Sequence, residues 1–330
     1  MQEKTQYDEN KVIIVGDGTV GSTYAHSLVT RDVADIIGII DVNKGKAEGD
    51  AMDLMHALPY MNVPVKTVFS AGFEDCHDAD IVAITANAPN AKFDAEFSRL
   101  TLLKNNVSMI KEIVEKVVES GFNGIFLVAS NPVDVLSQVV MEVSGFPREK
   151  VIGTGTLIDT ARLKRIIADQ IQVDPRNIHG YILGEHGESS FAAWSNITIG
   201  SKAISRWVAK NPEYEMPSFD EIDERVRNIG FDIFHKKGAT YYGIASALVR
   251  ITTSILRNEN SILPVSTYLQ GEYGHEGVFI GVPAVINKQG VRETLNLYLN
   301  EDELLKLAKS VTLLKENFES ISSEIKKEDK

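Results

Sequence analysis

The sequence predicts an α/β protein, with a doubly wound parallel sheet in residues 1–154 followed by an α+β substrate domain in residues 155–330. Short apolar runs alternate with helical stretches through the first part, which is the order of a parallel sheet with helices on both faces. The first apolar run ends in a glycine-rich turn. After about residue 155 long helices and short strands replace the alternation, and 330 residues suffice for two closely packed domains.

The first strand and its turn carry the most specific pattern of this half. The run KVIIVG, which starts at Lys11, predicts a buried strand, and Gly16, Gly18 and Gly21 form a G-x-G-x-x-G that opens a helix. Asp41 ends the next strand. Such a turn holds a pyrophosphate against the helix N-terminus, while the acid accepts from ribose hydroxyls and favours NAD over NADP. The combination predicts a Rossmann dinucleotide site; a glycine-rich turn without a ligand is the alternative.

The same alternation continues along the chain. Strands are predicted at Ile36 to Ile40, Val65 to Phe69, Asp80 to Thr85, Gly124 to Ala129 and Val151 to Gly153, and helices at Val20 to Val29 and Leu100 to Ser120. The carboxyl ends of parallel strands share one sheet edge, where ligands of such sheets bind. Asp41, Asn87, Asn131 and Thr154 fall at those ends. This edge is the predicted cofactor face.

The second half is predicted to mix helices with short strands. A helix is predicted from Thr156 to Gln170, followed by a hairpin of Ile178 to Ile182 and Ser190 to Ile199, with Trp194 in its second strand. A helical stretch follows from Asp220 to Arg257, with a break between Lys237 and Gly243. The remaining predicted elements are strands at Ser261 to Thr267, Val278 to Val282 and Ala284 to Lys288, and a helix from Asn300 to Ser323.

Composition excludes several classes of function. The chain has 34 basic and 46 acidic residues, a net charge of −12, which disfavours nucleic acid or an anionic membrane as a partner. Its one cysteine, Cys76, permits no internal disulfide and is expected to be an inert thiol. The N-terminus does not look like a signal peptide, and no apolar run has the length of a membrane span. The histidines share no metal-ligand spacing. We therefore expect a cytoplasmic protein without a metal site.

Residues 151–190 contain three side chains suited to proton transfer on a small acid. Asp159 and Arg162 stand three apart in a helical pattern, so both project from one face. His186 lies in a Gly-Glu-His-Gly turn after a short apolar run. An imidazole exchanges a proton near neutral pH, a carboxylate can orient it, and a guanidinium can hold a substrate carboxylate through two parallel hydrogen bonds.

A long polar connection precedes the helix that begins near residue 100. It runs from Asn87 to Ser98, contains proline, and is longer than most strand-to-helix loops, as lids and binding loops often are. If this loop folds over the site, Arg99 at its far end would bring a positive charge beside the reacting carbonyl. An exposed arginine at a helix start is the alternative.

These residues resemble the L-lactate/malate dehydrogenase family over nearly the whole chain. The motifs that carry the resemblance are GDGTVG, Arg99 seven residues before Asn106, SNPVD, IDTAR and GEHG, in the family's order and approximate spacing. The resemblance implies an NAD-dependent L-2-hydroxy acid dehydrogenase that transfers a hydride reversibly between NADH and a 2-keto acid, with pyruvate and L-lactate as the leading pair.

The resemblance also implies a role for each site residue. His186 would protonate the substrate carbonyl, and Asp159 would hold its tautomer and raise its pKa. Arg162 would grip the substrate carboxylate, and Arg99 would polarise the carbonyl. The remaining implied residues are Asn131 and Thr240 for the substrate, and Gly16, Gly18, Gly21, Asp41, Asn87, Asn106 and Asn131 for NAD.

The loop bears on which acid is the substrate. Malate enzymes of the family place a second arginine there, whereas Lys92 is the only base between Asn87 and Ser98, and an unpaired second carboxylate would be costly. The glutamine of the lactate pattern is also missing, with Asn90 as the nearest analogue. The loop is about three residues longer than in that pattern. The length of this loop, and the sequence around IDTAR and GEHG, are similar to those of L-2-hydroxyisocaproate dehydrogenases. Larger aliphatic 2-keto acids are therefore the alternative substrates.

The resemblance implies a homotetramer or homodimer. Many bacterial members bind fructose 1,6-bisphosphate between subunits through an arginine and a histidine, and the corresponding residues here are Lys164 and His179. Lysine keeps the charge but loses the bidentate fork, so activation by this effector stays open.

Two other classes of function fit the sequence less well. An NAD-dependent glycosidase of related fold would need a metal site, and Cys76 lies in no such motif. A non-catalytic dinucleotide-binding protein would have no need of Arg99, Asp159, Arg162 and His186 together.

Overall fold

A computed structural model describes residues 9–64, 66–88 and 99–325, without the side chains of 99–102 and 323. Six parallel strands build the first part of the main sheet: β1 (Lys11–Val15), β2 (Ile36–Ile40), β3 (Thr67–Ser70), β4 (Ile81–Ile84), β5 (Ile125–Val128) and β6 (Val151–Gly153). Most of their side chains are β-branched and buried, as expected for strands covered on both faces.

Helices cover both faces of this sheet. Those of the first part are α1 (Thr19–Thr30), α2 (Lys44–Ala57), α3 (Arg99–Glu119) and α4 (Val133–Ser144). Alternate residues of β1 enter different cores: Val12 packs with Tyr24 of α1, and Ile13 with Val107 of α3. Two cores on opposite faces confirm the predicted doubly wound architecture. The predicted strand at Val65 begins at Thr67, and Val65 itself lies outside the described residues.

The second part supplies more helices and short strands. They are α5 (Leu157–Ile171), β7 (Ile178–His179), β8 (Ile182–Leu183), β9 (Phe191–Ala192), β10 (Thr198–Ile199), β11 (Lys202–Ala203), α6 (Ile204–Lys210), α7 (Phe219–Lys237), α8 (Tyr242–Leu256), β12 (Ser261–Gln270), β13 (Glu276–Asn287), β14 (Gly290–Thr294), α9 (Glu301–Glu319) and α10 (Ser322–Ile325). The predicted break between Lys237 and Gly243 is confirmed, since α7 ends at the left-handed Gly238 (φ +81°).

The last strands extend the main sheet rather than forming a separate one. The order is β14-β13-β12-β6-β5-β4-β1-β2-β3, and Ser266 of β12 pairs antiparallel with Gly153 of β6. The prediction of two strands interrupted at Pro283 was wrong, because β13 is continuous and β14 follows it. Pro283 lies opposite Pro264, so the two positions without an N–H donor coincide and the ladder continues on either side.

The predicted hairpin is present but divided. β7 pairs with β10 and β8 with β9, and Trp194 lies in a short 3-10 turn between β9 and β10 rather than in a strand. The reason is tertiary: the indole stacks on Phe219 with ring centroids 4.1 Å apart, and its N–H donates to Asp223. These contacts with α7 hold Trp194 out of the strand.

No helix among residues 9–64, 66–88 and 99–325 combines the length and apolar character needed to cross a membrane. Cys76 is fully buried, and burial raises the pKa of its thiol to about 12, as expected for an inert cysteine.

Candidate active site

The glycine turn after β1 packs tightly on the sheet but leaves one side open. Gly16 has φ +107°, and a Cβ added to Gly21 would fall 2.0 Å from the Gly16 carbonyl oxygen. Both positions therefore require glycine. At Gly18 nothing lies within 4 Å of an added Cβ, and α1 begins beside it with no side-chain cap. No side chain caps the first N–H groups of α1, so they stay available to the phosphates of a dinucleotide.

Asp41 adjoins this turn at the end of β2. Its Oδ2 accepts from the main-chain N–H of Asp17 at 2.7 Å, and its Oδ1 accepts from that of Asn43 at 2.8 Å. These bonds fix the carboxylate, and each oxygen keeps a further lone pair for a ribose hydroxyl. The neighbouring Val42 is 99% exposed, which leaves an apolar surface beside the acid. The geometry of this region fits the NAD site predicted from the sequence.

Asp17 is a buried acid inside the glycine turn. Its side chain is fully buried, and neither carboxylate oxygen has a hydrogen-bond partner among the described residues; Lys46 Nζ of α2 lies 2.9 Å away as an ion pair. Burial raises the pKa of Asp17 to about 6, with Lys46 opposing the rise and Asp50 adding to it. Lys46 therefore provides most of the stabilisation of the negative charge on Asp17.

We expect Lys46→Met to lower the melting temperature strongly at pH 8 and only slightly at pH 5. The pKa of Asp17, about 6, lies above its ordinary 3.8, so the costly buried charge exists above pH 6 and disappears as the pH falls through 6. Removing its partially exposed partner should cost about 2 kcal/mol at pH 8. Calorimetry at both pH values measures this. Lys116→Met, which breaks the exposed pair with Glu112, is the control; an equal loss at both pH values for Lys46→Met would contradict the account.

Helix α5 and the turn after β8 bring together two predicted catalytic residues, Asp159 and His186, and the predicted substrate-binding residue Arg162. Asp159 Oδ2 lies 2.6 Å from His186 Nδ1, and Asp159 Oδ1 accepts from Arg162 Nη1 at 3.0 Å. One carboxylate therefore binds the imidazole and the guanidinium at once. The Asp159 and Arg162 side chains are 7% and 14% exposed, whereas His186 keeps 23%, so the imidazole is the member most open to a substrate.

The electrostatics of this trio favour a protonated imidazole. Burial alone would lower the pKa of His186, but the charge of Asp159 and the hydrogen bond to it outweigh burial, so the pKa is raised above its ordinary value. Burial would likewise raise the pKa of Asp159, but His186 and Arg162 hold it below its ordinary value. The pair thus stabilises the ionised form of the carboxylate and the protonated form of the imidazole.

Two threonines tie α5 to the strand that precedes His186. Thr156 Oγ1 donates to the Ile182 carbonyl at 2.6 Å, and the Ile182 N–H donates to Thr160 Oγ1 at 2.9 Å. Asp159 is therefore carried on a helix that is fastened to β8 on both sides. This fixes the separation between Asp159 and His186 although they are 27 positions apart in the sequence.

The other predicted residues lie around this centre. Asn106 of α3 joins the segments after β4 and β5, because its side chain accepts from Ala88 N–H at 2.9 Å and donates to the Asn131 carbonyl at 2.8 Å. Asn87 is exposed at the end of β4. Thr240 is half-buried in the connection between α7 and α8. Arg99 is the first residue of α3; its side chain lies outside the described residues, as do Asn90 and Lys92.

Sequence reasoning missed two residues of this region. Asp134 accepts from the His186 main chain at 2.8 Å. Gly230 of α7 lies beside Arg162, since a Cβ added there would be 3.3 Å from Nη2. The motif SNPVD contains Asp134 but does not indicate its partner, and nothing in the local sequence singles out Gly230.

Comparison with known proteins gives matches over nearly the whole chain. A family model described as lactate/malate dehydrogenase, NAD binding domain, matches residues 10–153, and one described as lactate/malate dehydrogenase, alpha/beta C-terminal domain, matches residues 156–325. L-lactate dehydrogenase 2 of Bacillus cereus is 48% identical over 93% of this chain and 96% of its own length. L-lactate dehydrogenase 1 of Enterococcus faecalis is 48% identical over 98% of this chain and 97% of its own length.

Solved structures give the same result. The ligand-bound minor L-lactate dehydrogenase from Enterococcus mundtii has a TM-score of 0.90 and 42% identity, covering 95% of this chain and 98% of its own. A lactate dehydrogenase from a Medee basin deep-sea metagenome library has a TM-score of 0.90 and 43% identity, and the match covers 96% of this chain and 100% of that one.

Proposed function

The chain belongs to the lactate/malate dehydrogenase family, and on that premise we propose that it is an NAD-dependent L-lactate dehydrogenase. It reduces pyruvate reversibly to L-lactate with NADH. Curated L-lactate dehydrogenases at 48% identity over nearly the whole chain support this activity. The observation that carries the proposal is the carboxylate of Asp159, which holds His186 at 2.6 Å and Arg162 at 3.0 Å. This arrangement suits a reaction in which a small acid is gripped and protonated.

Each member of the trio has a chemical role. His186 donates the proton to the substrate oxygen in the reducing direction and accepts it in the oxidising direction. Asp159 stabilises the imidazolium and fixes the tautomer with Nε2 directed away from the carboxylate. Arg162 binds the substrate carboxylate through the guanidinium edge that Asp159 leaves free. Arg99, Asn131 and Thr240 remain proposed substrate contacts, and Arg99 would polarise the carbonyl.

NADH supplies the hydride when it is bound. We propose that the uncapped N-terminus of α1 receives its pyrophosphate and that Asp41 accepts from its ribose hydroxyls. Gly16, Gly18 and Gly21 allow that approach, while Asn87 and Asn131 belong to the neighbouring sheet edge and Asn106 of α3 joins its two segments. Asn106 is 5% exposed and bonded to two main-chain groups, which supports a bracing role beside the cofactor.

A steady-state comparison tests the substrate. NADH oxidation is measured with pyruvate, 2-ketoisocaproate, phenylpyruvate and oxaloacetate. Pyruvate is expected to give the highest kcat/KM, and oxaloacetate the lowest, because its second carboxylate would be buried without an arginine. A higher value for 2-ketoisocaproate would assign the chain to the alternative, an L-2-hydroxyisocaproate dehydrogenase. The glycosidase alternative has no support from the relatives, which are L-lactate dehydrogenases.

Gly230 bears on the size of the acid. An added Cβ would lie 3.3 Å from Nη2 and 3.5 Å from Nη1 of Arg162, so glycine leaves room next to the proposed carboxylate grip. We expect Gly230→Ala to lower kcat/KM for 2-ketoisocaproate about tenfold more than for pyruvate, because the larger side chain needs that room more. Gly49→Ala is the control, since nothing surrounds that helical position within 4 Å. An unchanged ratio for Gly230→Ala would remove Gly230 from the pocket.

Assembly, regulation and location also remain proposals. We propose a homodimer or homotetramer, supported by the exposed apolar side chains of Met52 on α2 and Phe231 on α7.

Lys164 is half-buried, burial lowers its pKa, and no ion pair neutralises it within the described part of the chain. With exposed His179, it could receive an anion such as fructose 1,6-bisphosphate. A boundary near residue 154 lies between the two family matches. A cytoplasmic location is consistent with the buried thiol of Cys76.

A further inference from the structure

The main chain of His186 is held by a carboxylate other than Asp159. Oδ2 of Asp134, on α4, accepts from the His186 N–H at 2.8 Å, and Oδ1 accepts from the Ser266 hydroxyl at 2.6 Å. Asp134 is 2% exposed and Ser266 is fully buried. Both oxygens of Asp134 are therefore used inside the protein, one of them by the residue proposed to transfer the proton.

The position of Asp134 links two sides of the site. It lies in the first turn of α4, where the helix dipole favours a negative charge. Three residues earlier, the Asn131 carbonyl is held by Asn106 at 2.8 Å. Asn131 belongs to the sheet edge proposed for the cofactor, and Asp134 contacts His186. One short segment therefore connects the cofactor edge to the proton donor.

We propose that Asp134 is a positioning residue of the reaction: it fixes the main chain of His186 while Asp159 fixes the ring, and it adds a second negative charge near the imidazole. The inference rests on the proposed function, since it assigns how His186 is held for that reaction. Holding both ends of the residue matters because a displacement of about 1 Å at a catalytic group can cost a hundredfold in rate.

The charged groups around His186 give this carboxylate an electrostatic effect. Asp159 and Arg162 face the imidazole from α5, Asp134 faces it from α4, and Glu185 of the same turn faces Asp134. The charge of Asp134 raises the pKa of His186, in addition to the larger effect of Asp159, and Arg162 opposes both. Burial raises the pKa of Asp134 itself to about 6, so its charge is present above that pH.

A purely structural role would not require the charge. An asparagine at position 134 could accept from the His186 N–H through its oxygen and donate to Ser266 Oγ through its nitrogen. Because the pKa of Asp134 is raised above its ordinary 3.8, its ionised form costs folding free energy above pH 6 and the cost falls away as the pH drops. Asp134→Asn should therefore fold, with a melting temperature at pH 8 equal to or above that of the parent protein.

The test is the pH profile of kcat/KM for pyruvate reduction by the full-length Asp134→Asn protein. Reduction needs a protonated His186, so the alkaline limb of the profile reports its pKa. We expect this limb to move about one pH unit lower and kcat at pH 8 to fall about tenfold. NADH affinity, measured by fluorescence, should stay the same. An unmoved limb with kcat within about twofold of the parent would overturn the proposal.

Asp223→Asn is the matched control. Asp223 is also a buried acid, with its pKa raised to about 6 by burial, and it accepts from the Ala192 N–H at 3.2 Å rather than from the His186 turn. Its amide variant should leave the alkaline limb in place; a shift equal to that of Asp134→Asn would overturn the specific role of Asp134.

Ser266→Ala is the second variant. It removes a hydrogen bond that favours the ionised form of Asp134, so it should move the limb in the same direction by about a third of a unit. If Asp134→Asn does not fold, an unmoved limb in Ser266→Ala overturns the proposal. A parent protein that oxidises no NADH with pyruvate would instead overturn the proposed function.

Discussion

Replacing His186 with alanine should lower kcat/KM for pyruvate reduction by about three to four orders of magnitude. Among the residues that the structure describes, the imidazole is the only group bonded to the Asp159 carboxylate whose proton can leave near neutral pH, since the other is a guanidinium. Without it, proton transfer to the substrate oxygen would depend on water. Steady-state NADH oxidation across a range of pyruvate concentrations measures the loss, which should appear in kcat.

Two comparisons make this result specific. NADH binding by His186→Ala, followed by fluorescence, should match that of the parent protein, because the proposed cofactor contacts lie on the glycine turn and at Asp41. His77→Ala is the control, since that imidazole has 60% of its side chain exposed and its ring contacts Glu74 and Asp78 of its own turn. A His186→Ala protein that retains more than about a tenth of the parent activity would show that another group donates the proton.

Replacing Arg162 with lysine should raise the KM for pyruvate by about a hundredfold or more, which corresponds to about 3 kcal/mol. Arg162 uses Nη1 to bind Asp159 at 3.0 Å, and a guanidinium can do this while presenting further parallel N–H groups to a substrate carboxylate. A single ammonium cannot pair with both acids in the same geometry. The charge is retained, so the loss measures the bidentate grip rather than the charge.

Arg165→Lys is the matched control for this prediction. Arg165 lies on the same helix three residues further on, pairs with Asp169 at 2.5 Å, and has 67% of its side chain exposed. Its replacement should leave KM and kcat within about twofold of the parent values. If Arg162→Lys changes KM no more than Arg165→Lys does, the substrate carboxylate must bind elsewhere.

Local patterns explain what the sequence could predict. The strand, glycine turn and helix around Gly16, Gly18 and Gly21 lie within a short stretch, so spacing alone identified them. Asp159 and Arg162 share a helical face for the same reason. The acid at the end of β2 was also predictable, because parallel strands bring their carboxyl ends to one edge.

What the sequence did not reveal depends on contacts between distant residues. The bond between Ser266 and Asp134 spans 132 positions, and no local pattern marks a serine in the middle of an apolar strand as its donor. Trp194 left its predicted strand because Phe219 and Asp223 of α7 bind its ring. Pro283 was predicted to interrupt a strand because a proline lacks an N–H donor. The structure shows that it pairs with Pro264 of β12, which the local sequence does not indicate. For Trp194 and Pro283, tertiary packing overrode a local expectation, whereas for Ser266 the local sequence offered none.

The most direct test of the central claim follows both products of one reaction. NADH consumption is recorded by absorbance while the lactate formed from pyruvate is separated by chiral chromatography. The account predicts one L-lactate for each NADH oxidised by the parent protein, and neither product above background with His186→Ala. NADH oxidation without L-lactate, or L-lactate formation that survives the loss of His186, would contradict the claim that NADH reduces pyruvate with His186 as the proton donor.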